Sequence, residues 1–123
     1  MTPNLAKSCR ALMVGVPDEL KISLIAVLRA LDVDPVSRNA TSGADLQKDA
    51  DVIFCDAEAN VINSLRKTAP SARIIAVSRL AETDRWLDAI EAGADDYCAL
   101  PFETFHLRWT LDRFLQHPSH AAA

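Results

Sequence analysis

Five short apolar runs recur along the chain and predict the strands of a sheet. They are CRALMVGV (9–16), DPVSRN (34–39), DVIFCD (51–56), ARIIAVS (72–78) and DDYCALPF (95–102). All but the second are nearly continuous in apolar character, which is typical of parallel strands covered on both faces. The chain therefore predicts a sheet buried between two layers.

Segments with helical spacing separate these runs. Pro17 and Asp18 signal the start of the first helix, whose apolar face carries Leu20, Leu24, Leu28 and Leu31. Two further helices are marked by Trp86, Leu87 and Ile90, and by Phe105, Trp109, Leu111, Phe114 and Leu115. Shorter helices around 42–48 and 60–67 lie where crossovers between parallel strands need them. We number these predicted helices first to fifth in chain order.

The alternation βαβαβαβαβα predicts an α/β fold, a three-layer αβα sandwich around a doubly wound five-stranded parallel sheet. In this architecture, ligands and chemistry lie beyond the carboxyl ends of the strands. The residues at those ends are Gly15, Val16, Asp56, Ser78 and Leu100. A functional site is expected among them.

Length and composition narrow the class of protein. The 123 residues, 50% apolar and 24% charged with net charge −4, predict a single soluble domain, 1–123, with its core in 10–116 and a flexible tail in 117–123. The 13 basic residues are scattered, which argues against direct nucleic-acid binding. No apolar stretch approaches the roughly 20 residues of a membrane span and no signal peptide is evident, so we expect a cytoplasmic protein.

Cysteines and histidines are too dispersed for a disulfide framework or a metal site. They are Cys9, Cys55, Cys98, His106, His117 and His120. We expect reduced cysteines, with Cys55 and Cys98 buried, and surface histidines. A redox-sensing thiol is the alternative.

The strand-end motifs resemble the receiver domain of bacterial two-component response regulators, the CheY-like domains, from about residue 10 to 116. DVIFCD resembles the strand whose last residue accepts phosphate, here Asp56, and IIAVS the strand that ends in a phosphate-sensing hydroxyl residue, here Ser78. EAGADDY followed by Pro-Phe is the most specific match and places Tyr97 at the aromatic switch position. The resemblance implies the strand order 2-1-3-4-5 and a cis Leu100-Pro101 bond.

The chain departs from the family where the phosphorylation chemistry resides. Gly15 and Val16 replace the family's two metal-binding acids, Leu100 replaces its lysine, and the loop after Asp56 is short. Because phosphoryl transfer to a carboxylate depends on neutralisation by a cation, we expect weak or absent Mg²⁺ binding and no metal site. Substitute ligands remain an alternative, from Asp18, Glu19 or Glu58.

Each retained position also has a purely structural interpretation. Asp56 could end a strand and cap a turn, Ser78 could cap a turn or helix, and Tyr97 could be a packing residue with a hydrated hydroxyl. Without a lysine partner, a buried Asp56 is expected to have a raised pKa.

These observations favour a pseudo-receiver, a protein-interaction module that is not an enzyme, needs no cofactor and acts without phosphorylation. Its partner is a histidine kinase, an output domain or a second copy in a homodimer. The family's usual output surface is formed by the fourth helix, fifth strand and fifth helix, and its candidates here are Arg85, Trp86, Asp96, Arg108 and Trp109. The tryptophans have core packing as their alternative.

Two other functions remain open. The first is an atypical receiver that a histidine kinase phosphorylates on Asp56. The second is a flavodoxin-like cofactor binder or small enzyme, which the sequence supports poorly because no glycine-rich loop follows the first strand.

Overall fold

The computed structural model describes residues 10–38, 51–79 and 83–116. The strands are β1 (Arg10–Val14), β2 (Asp34–Arg38), β3 (Val52–Asp56), β4 (Ile74–Ser78) and β5 (Asp96–Ala99). The helices are α1 (Asp18–Ala30), α2 (Ala59–Thr68), α3 (Thr83–Ala92) and α4 (Thr104–Gln116). No helix in these three ranges is both long and apolar enough to cross a bilayer.

The described elements coincide with the predicted ones. Helices α1, α2, α3 and α4 correspond to the first, third, fourth and fifth predicted helices. The second predicted helix (42–48) and the tail (117–123) lie outside the described residues, as do Cys9, His117 and His120.

The five strands form one parallel sheet in the order β2-β1-β3-β4-β5, which confirms the predicted fold class and strand order. Strand β2 lies at an edge, where Pro35 costs no central ladder bond; this position explains why its apolar pattern is the weakest. In the register of the sheet, Val14 pairs with Cys55 and Asp56 with Val77. The ends of β1, β3 and β4 therefore meet at one edge.

Alternating side chains of the strands pack into two separate apolar layers. Met13, Phe54 and Val77 point to one face, where they share a cluster with leucines of α1 and α4: Leu20, Leu24, Leu28, Leu107 and Leu111. Leu12 and Ile53 point to the other face, where they share a cluster with residues of α2 and α3: Ile62, Leu65 and Ala89. Of the helices in the described ranges, two thus cover each face, in agreement with the three-layer prediction.

Arg66 of α2 connects three segments near the amino ends of β4 and β5. Its Nε and Nη2 donate to the carbonyl oxygen of Gly93 at 3.0 and 2.7 Å, and Nη2 also donates to Asp95 Oδ2 at 3.0 Å. Its Nη1 donates to the carbonyl oxygens of Pro70 and Ala72 at 2.9 and 2.8 Å. This arginine cluster fixes the loop after α2 against the turn between α3 and β5.

Candidate functional site

Asp56 is the last residue of β3, after four buried apolar residues. Its side chain is half-buried and opens into a cleft of about 370 Å³ at the carboxyl edge of the sheet. The cleft is lined by Pro17, Leu20, Asp56, Glu58, Ser78, Arg79 and Arg85. The structure therefore brings two carboxylates together with a hydroxyl and two guanidinium groups.

The environment of Asp56 disfavours its charged form. Burial is the largest cause and raises the pKa of this carboxyl above its usual value. The backbone N–H of Ala57 lowers the pKa, Glu58 raises it and Arg85 lowers it. The net direction is upward, as expected from the sequence.

Ser78 and Tyr97 are both buried. Ser78 ends β4, is 6% exposed, and its carbonyl oxygen accepts a hydrogen bond from Leu100 N at 3.1 Å. Tyr97 packs in the cluster beneath α2 and α3, near Ala89. The Leu100-Pro101 bond that follows β5 is cis, as expected.

Apolar packing occupies two of the three positions where the resemblance implies charge. Val16 is 6% exposed and belongs to the cluster of Leu20, Val77 and Phe102, and Leu100 packs against the same cluster. Gly15 is exposed and adopts φ 70°, a backbone conformation in which an L side chain is strained. These positions supply no side-chain oxygen or ammonium group.

Two of the three acids considered as substitute ligands form ion pairs with basic side chains, and the third lies in the cleft. Asp18 pairs with Lys21 at 3.8 Å, and Glu19 pairs with Arg79 at 2.9 Å. Glu58 lines the cleft with Asp56. Among the described residues, no three His, Cys, Asp or Glu side chains converge to hold a metal ion. Asp56 and Glu58 are the carboxylates that line the cleft, whereas Mg²⁺ prefers several oxygen ligands in octahedral geometry.

Two arginines supply positive charge in the Asp56 cleft, which the sequence analysis did not predict. Arg85, predicted for the interaction surface, lines the Asp56 cleft, and its Nη1 donates to the carbonyl oxygen of Ala57 at 3.4 Å. Arg79 was not singled out, although its position directly after Ser78 marks it as a strand-end residue. The position of Arg85 in α3 carries no comparable sequence signal.

The other residues predicted for the interaction surface fall into two groups. Asp96 is partly buried, and its Oδ2 accepts from Thr110 at 3.3 Å and Arg113 at 3.2 Å. Trp86, Arg108 and Trp109 are exposed.

Further apolar side chains that the sequence analysis treated only as helix markers are exposed as well. Leu87 and Ile90 belong to α3 and Phe105 to α4. The Arg113 guanidinium lies 4.8 Å from the centre of the Trp109 ring, a cation–π distance. We use the name β5-edge surface for six exposed residues of α3 and α4: Trp86, Leu87, Ile90, Phe105, Arg108 and Trp109.

Neither the two described cysteines nor the described histidine lines the cleft. Cys55 and Cys98 are buried, and burial raises the pKa of each thiol to about 12. A thiol with so little thiolate is a poor redox sensor. His106 is exposed.

The strand order, the aspartate after β3, the hydroxyl residue after β4 and the cis proline after β5 together define an α/β protein with the CheY-like receiver fold. Solved structures agree. A response regulator from Thermotoga maritima is 18% identical, with a TM-score of 0.70 over 88% of this chain and 98% of that one. The receiver domain of a Pseudomonas aeruginosa sensor histidine kinase, with magnesium in its active-site cleft, is 20% identical, with a TM-score of 0.67 over 89% and 98%.

The same fold occurs in a Burkholderia pseudomallei protein described as pilus assembly-related. It is 19% identical, with a TM-score of 0.71 over 94% of this chain and 96% of that one. The sequence matches no protein-family model and no curated protein sequence. Because the three structures share 18–20% of their residues with this chain, their similarity establishes its fold and not its function.

Proposed function

We propose that this chain is a pseudo-receiver: a signalling module that binds protein partners without being phosphorylated and catalyses no reaction. The observation that carries the proposal is the apolar packing at Val16 and Leu100. A receiver of the usual type needs carboxylates and a lysine around its phosphoacceptor, because the incoming phosphoryl group is negatively charged. Here those positions contribute to the hydrophobic core.

The state of Asp56 supports the same conclusion. Its pKa is raised chiefly by burial, and no ammonium group reaches it from position 100. A phosphoryl group on Asp56 would bring more negative charge into a cleft that already contains Glu58. Mg²⁺ binding is expected to be weak or absent.

The proposal is tested by NMR titration of the Asp56 and Ser78 signals with beryllofluoride, a phosphoryl mimic, at millimolar Mg²⁺. We expect no specific shift. Asp56→Asn is the matched control, because a shift that persists in this variant does not arise from the phosphoacceptor. A saturable shift that the variant abolishes would overturn the proposal.

An atypical receiver that is phosphorylated on Asp56 is the second candidate. The observation in its favour is the open cleft, in which Arg79 and Arg85 supply positive charge beside Asp56 and Ser78. The same titration decides between the two functions, because this candidate requires the specific shift that the first one forbids.

The β5-edge surface is the proposed site of interaction. Phe105 is 81% and Trp109 55% exposed, and exposed aromatic side chains of this size are frequent anchors of protein interfaces. Contact with Arg113 restricts the Trp109 ring, which lowers the entropy lost on binding.

Charge complementarity favours a second copy as the partner, with a kinase or output domain as alternatives. Helix α3 carries three acids and one arginine, whereas α4 carries one acid and two arginines. In a two-fold dimer, α3 of one copy can face α4 of the other. Sedimentation velocity should therefore detect a dimer that weakens with added salt.

The matched variants for this test are Trp86→Ala with Trp109→Ala, and Ile22→Ala on α1, where Ile22 is 73% exposed. The tryptophan double variant should sediment as a monomer, and Ile22→Ala should behave as the unaltered protein. A monomeric unaltered protein at all concentrations would contradict self-association.

A further inference from the structure

Two arginines connect the loops that surround Asp56. Arg79 Nε lies 2.9 Å from Glu19 Oε2, which links the residue after β4 to the first turn of α1. Arg85 Nη1 donates to the carbonyl oxygen of Ala57 at 3.4 Å, which links α3 to the residue after β3. Both arginines line the cleft into which Asp56 opens. Arginine side chains thus link two pairs of segments at the carboxyl edge, the residue after β4 with α1 and α3 with the residue after β3.

The charges around the cleft explain why a guanidinium is suited to this role. Asp56 and Glu58 line the cleft and Glu19 lies beside it, and the positive charges that face them belong to Arg79 and Arg85. A guanidinium stays charged at all relevant pH and has five donors in a planar array, so it can bond a carbonyl and attract a carboxylate simultaneously. Since Glu19 already pairs with Arg79, Arg85 is the arginine that acts on Asp56 and its loop.

We propose that Arg85 is the built-in cation of this cleft and positions the loop after β3 against α3 without a bound metal ion or phosphoryl group, while Arg79 holds α1 in the same way. The proposal rests on the pseudo-receiver function, because a module that is never phosphorylated needs another means of fixing this loop and α3. Arg85 is a positioning residue in this account.

Hydrogen–deuterium exchange tests the positioning role directly. In Arg85→Gln, amides of residues 57–60 and 84–87 should exchange roughly two- to five-fold faster, the range expected for the loss of an exposed charged contact. Arg85→Lys should lie closer to the unaltered protein because it keeps the charge. Arg29→Gln, which alters an exposed arginine in the last turn of α1, is the matched control and should change neither segment.

Titration of Asp56 by carboxyl-carbon NMR gives a second readout that a merely structural contact would not move. The charged groups that line the cleft with Asp56 are Glu58 beside it, Arg85 from α3 and Arg79 after β4, and Glu19 of α1 pairs with Arg79. Because Arg85 lowers the pKa of Asp56, Arg85→Gln should raise it further, and Arg79→Gln should have the smaller effect.

Unchanged exchange and an unchanged Asp56 titration in Arg85→Gln would overturn the inference. That result would leave the pseudo-receiver proposal intact, since the proposal depends on the response to beryllofluoride and not on Arg85. Conversely, a specific beryllofluoride shift would reject the pseudo-receiver function whatever the arginine variants do.

Discussion

Individual side chains decide whether this fold can perform phosphoryl transfer, and Val16 is the most informative of them. It occupies a metal-ligand position implied by the resemblance, yet it is buried in a cluster with Leu20 and Val77. A carboxylate placed there would lose its hydration and find no cation. Introducing an acid at this position is therefore expected to cost stability.

Val16→Asp should lower the free energy of unfolding by roughly 3 kcal/mol, the scale for burying an unpaired charge. Urea denaturation measures this loss. The matched control is Ile22→Asp, which makes the same kind of change at an exposed position of α1 and should cost less than about 1 kcal/mol. Equal losses in the two variants would show that Val16 is not part of the core.

Asp56→Asn should stabilise the protein at neutral pH. The pKa of Asp56 is raised in the folded state, so the folded protein holds this proton more tightly than the unfolded chain does. As pH rises through the pKa of Asp56 in the unfolded chain and then through its pKa in the folded protein, the free energy of unfolding falls. Above the folded-state pKa, the full cost of burying the charged carboxylate remains. An asparagine has no such penalty.

The measurement is the melting temperature of both proteins across pH. The gain from Asp56→Asn should be present at pH 7 and disappear below the ordinary aspartate value of 3.8. A variant that melts at a lower temperature than the unaltered protein at pH 7 would show that attraction to Arg85 outweighs the cost of burial.

The Arg66 cluster connects secondary-structure elements at the end of the sheet opposite the Asp56 cleft. All five N–H groups of Arg66 donate to carbonyl or carboxylate oxygens of residues 70, 72, 93 and 95. Gly93 adopts φ 121°, and a Cβ there would lie 3.2 Å from Arg66 Cβ and Cγ. Glycine is thus required both by its own backbone and by the close approach of the arginine.

Arg66→Ala should lower the free energy of unfolding by about 2 kcal/mol, because several charge-assisted hydrogen bonds are lost together and only part of the site is open to water. Thermal or urea denaturation measures the change. Lys67→Ala, the exposed neighbour on α2, should change stability by less than about 0.5 kcal/mol. If Arg66→Ala loses no more unfolding free energy than the control, the Arg66 cluster does not stabilise the fold.

Strands and helices were predictable where a short stretch of sequence carries the pattern that indicates them. Apolar runs predicted β1, β3, β4 and β5, and leucine spacing predicted α1. The pattern of β2 was weaker because this strand contains Pro35, which is tolerated at the edge of a sheet. The Arg66 cluster was not predictable, since its oxygens come from two separate loops.

At the scale of the whole molecule, sequence reasoning predicted the fold, which the structure confirms, and a site at the carboxyl edge, which stays a prediction. The segment EAGADDYCALPF predicted β5 and the cis Leu100-Pro101 bond, and both are present. Gly15, Val16 and Leu100 carry no charge where the resemblance implies two acids and a lysine. The approach of Arg85 to the loop after Asp56 depends on how α3 packs, which no spacing in the chain encodes. The fold alone therefore does not determine the chemistry of the site.

The central claim is that the receiver fold of this chain does not support phosphorylation of Asp56. The most direct test is intact-protein mass spectrometry immediately after incubation with acetyl phosphate and millimolar Mg²⁺, with Asp56→Asn treated in parallel. We expect both proteins to keep their original mass. A one-phosphoryl increase that appears in the unaltered protein and is absent from Asp56→Asn would contradict the account.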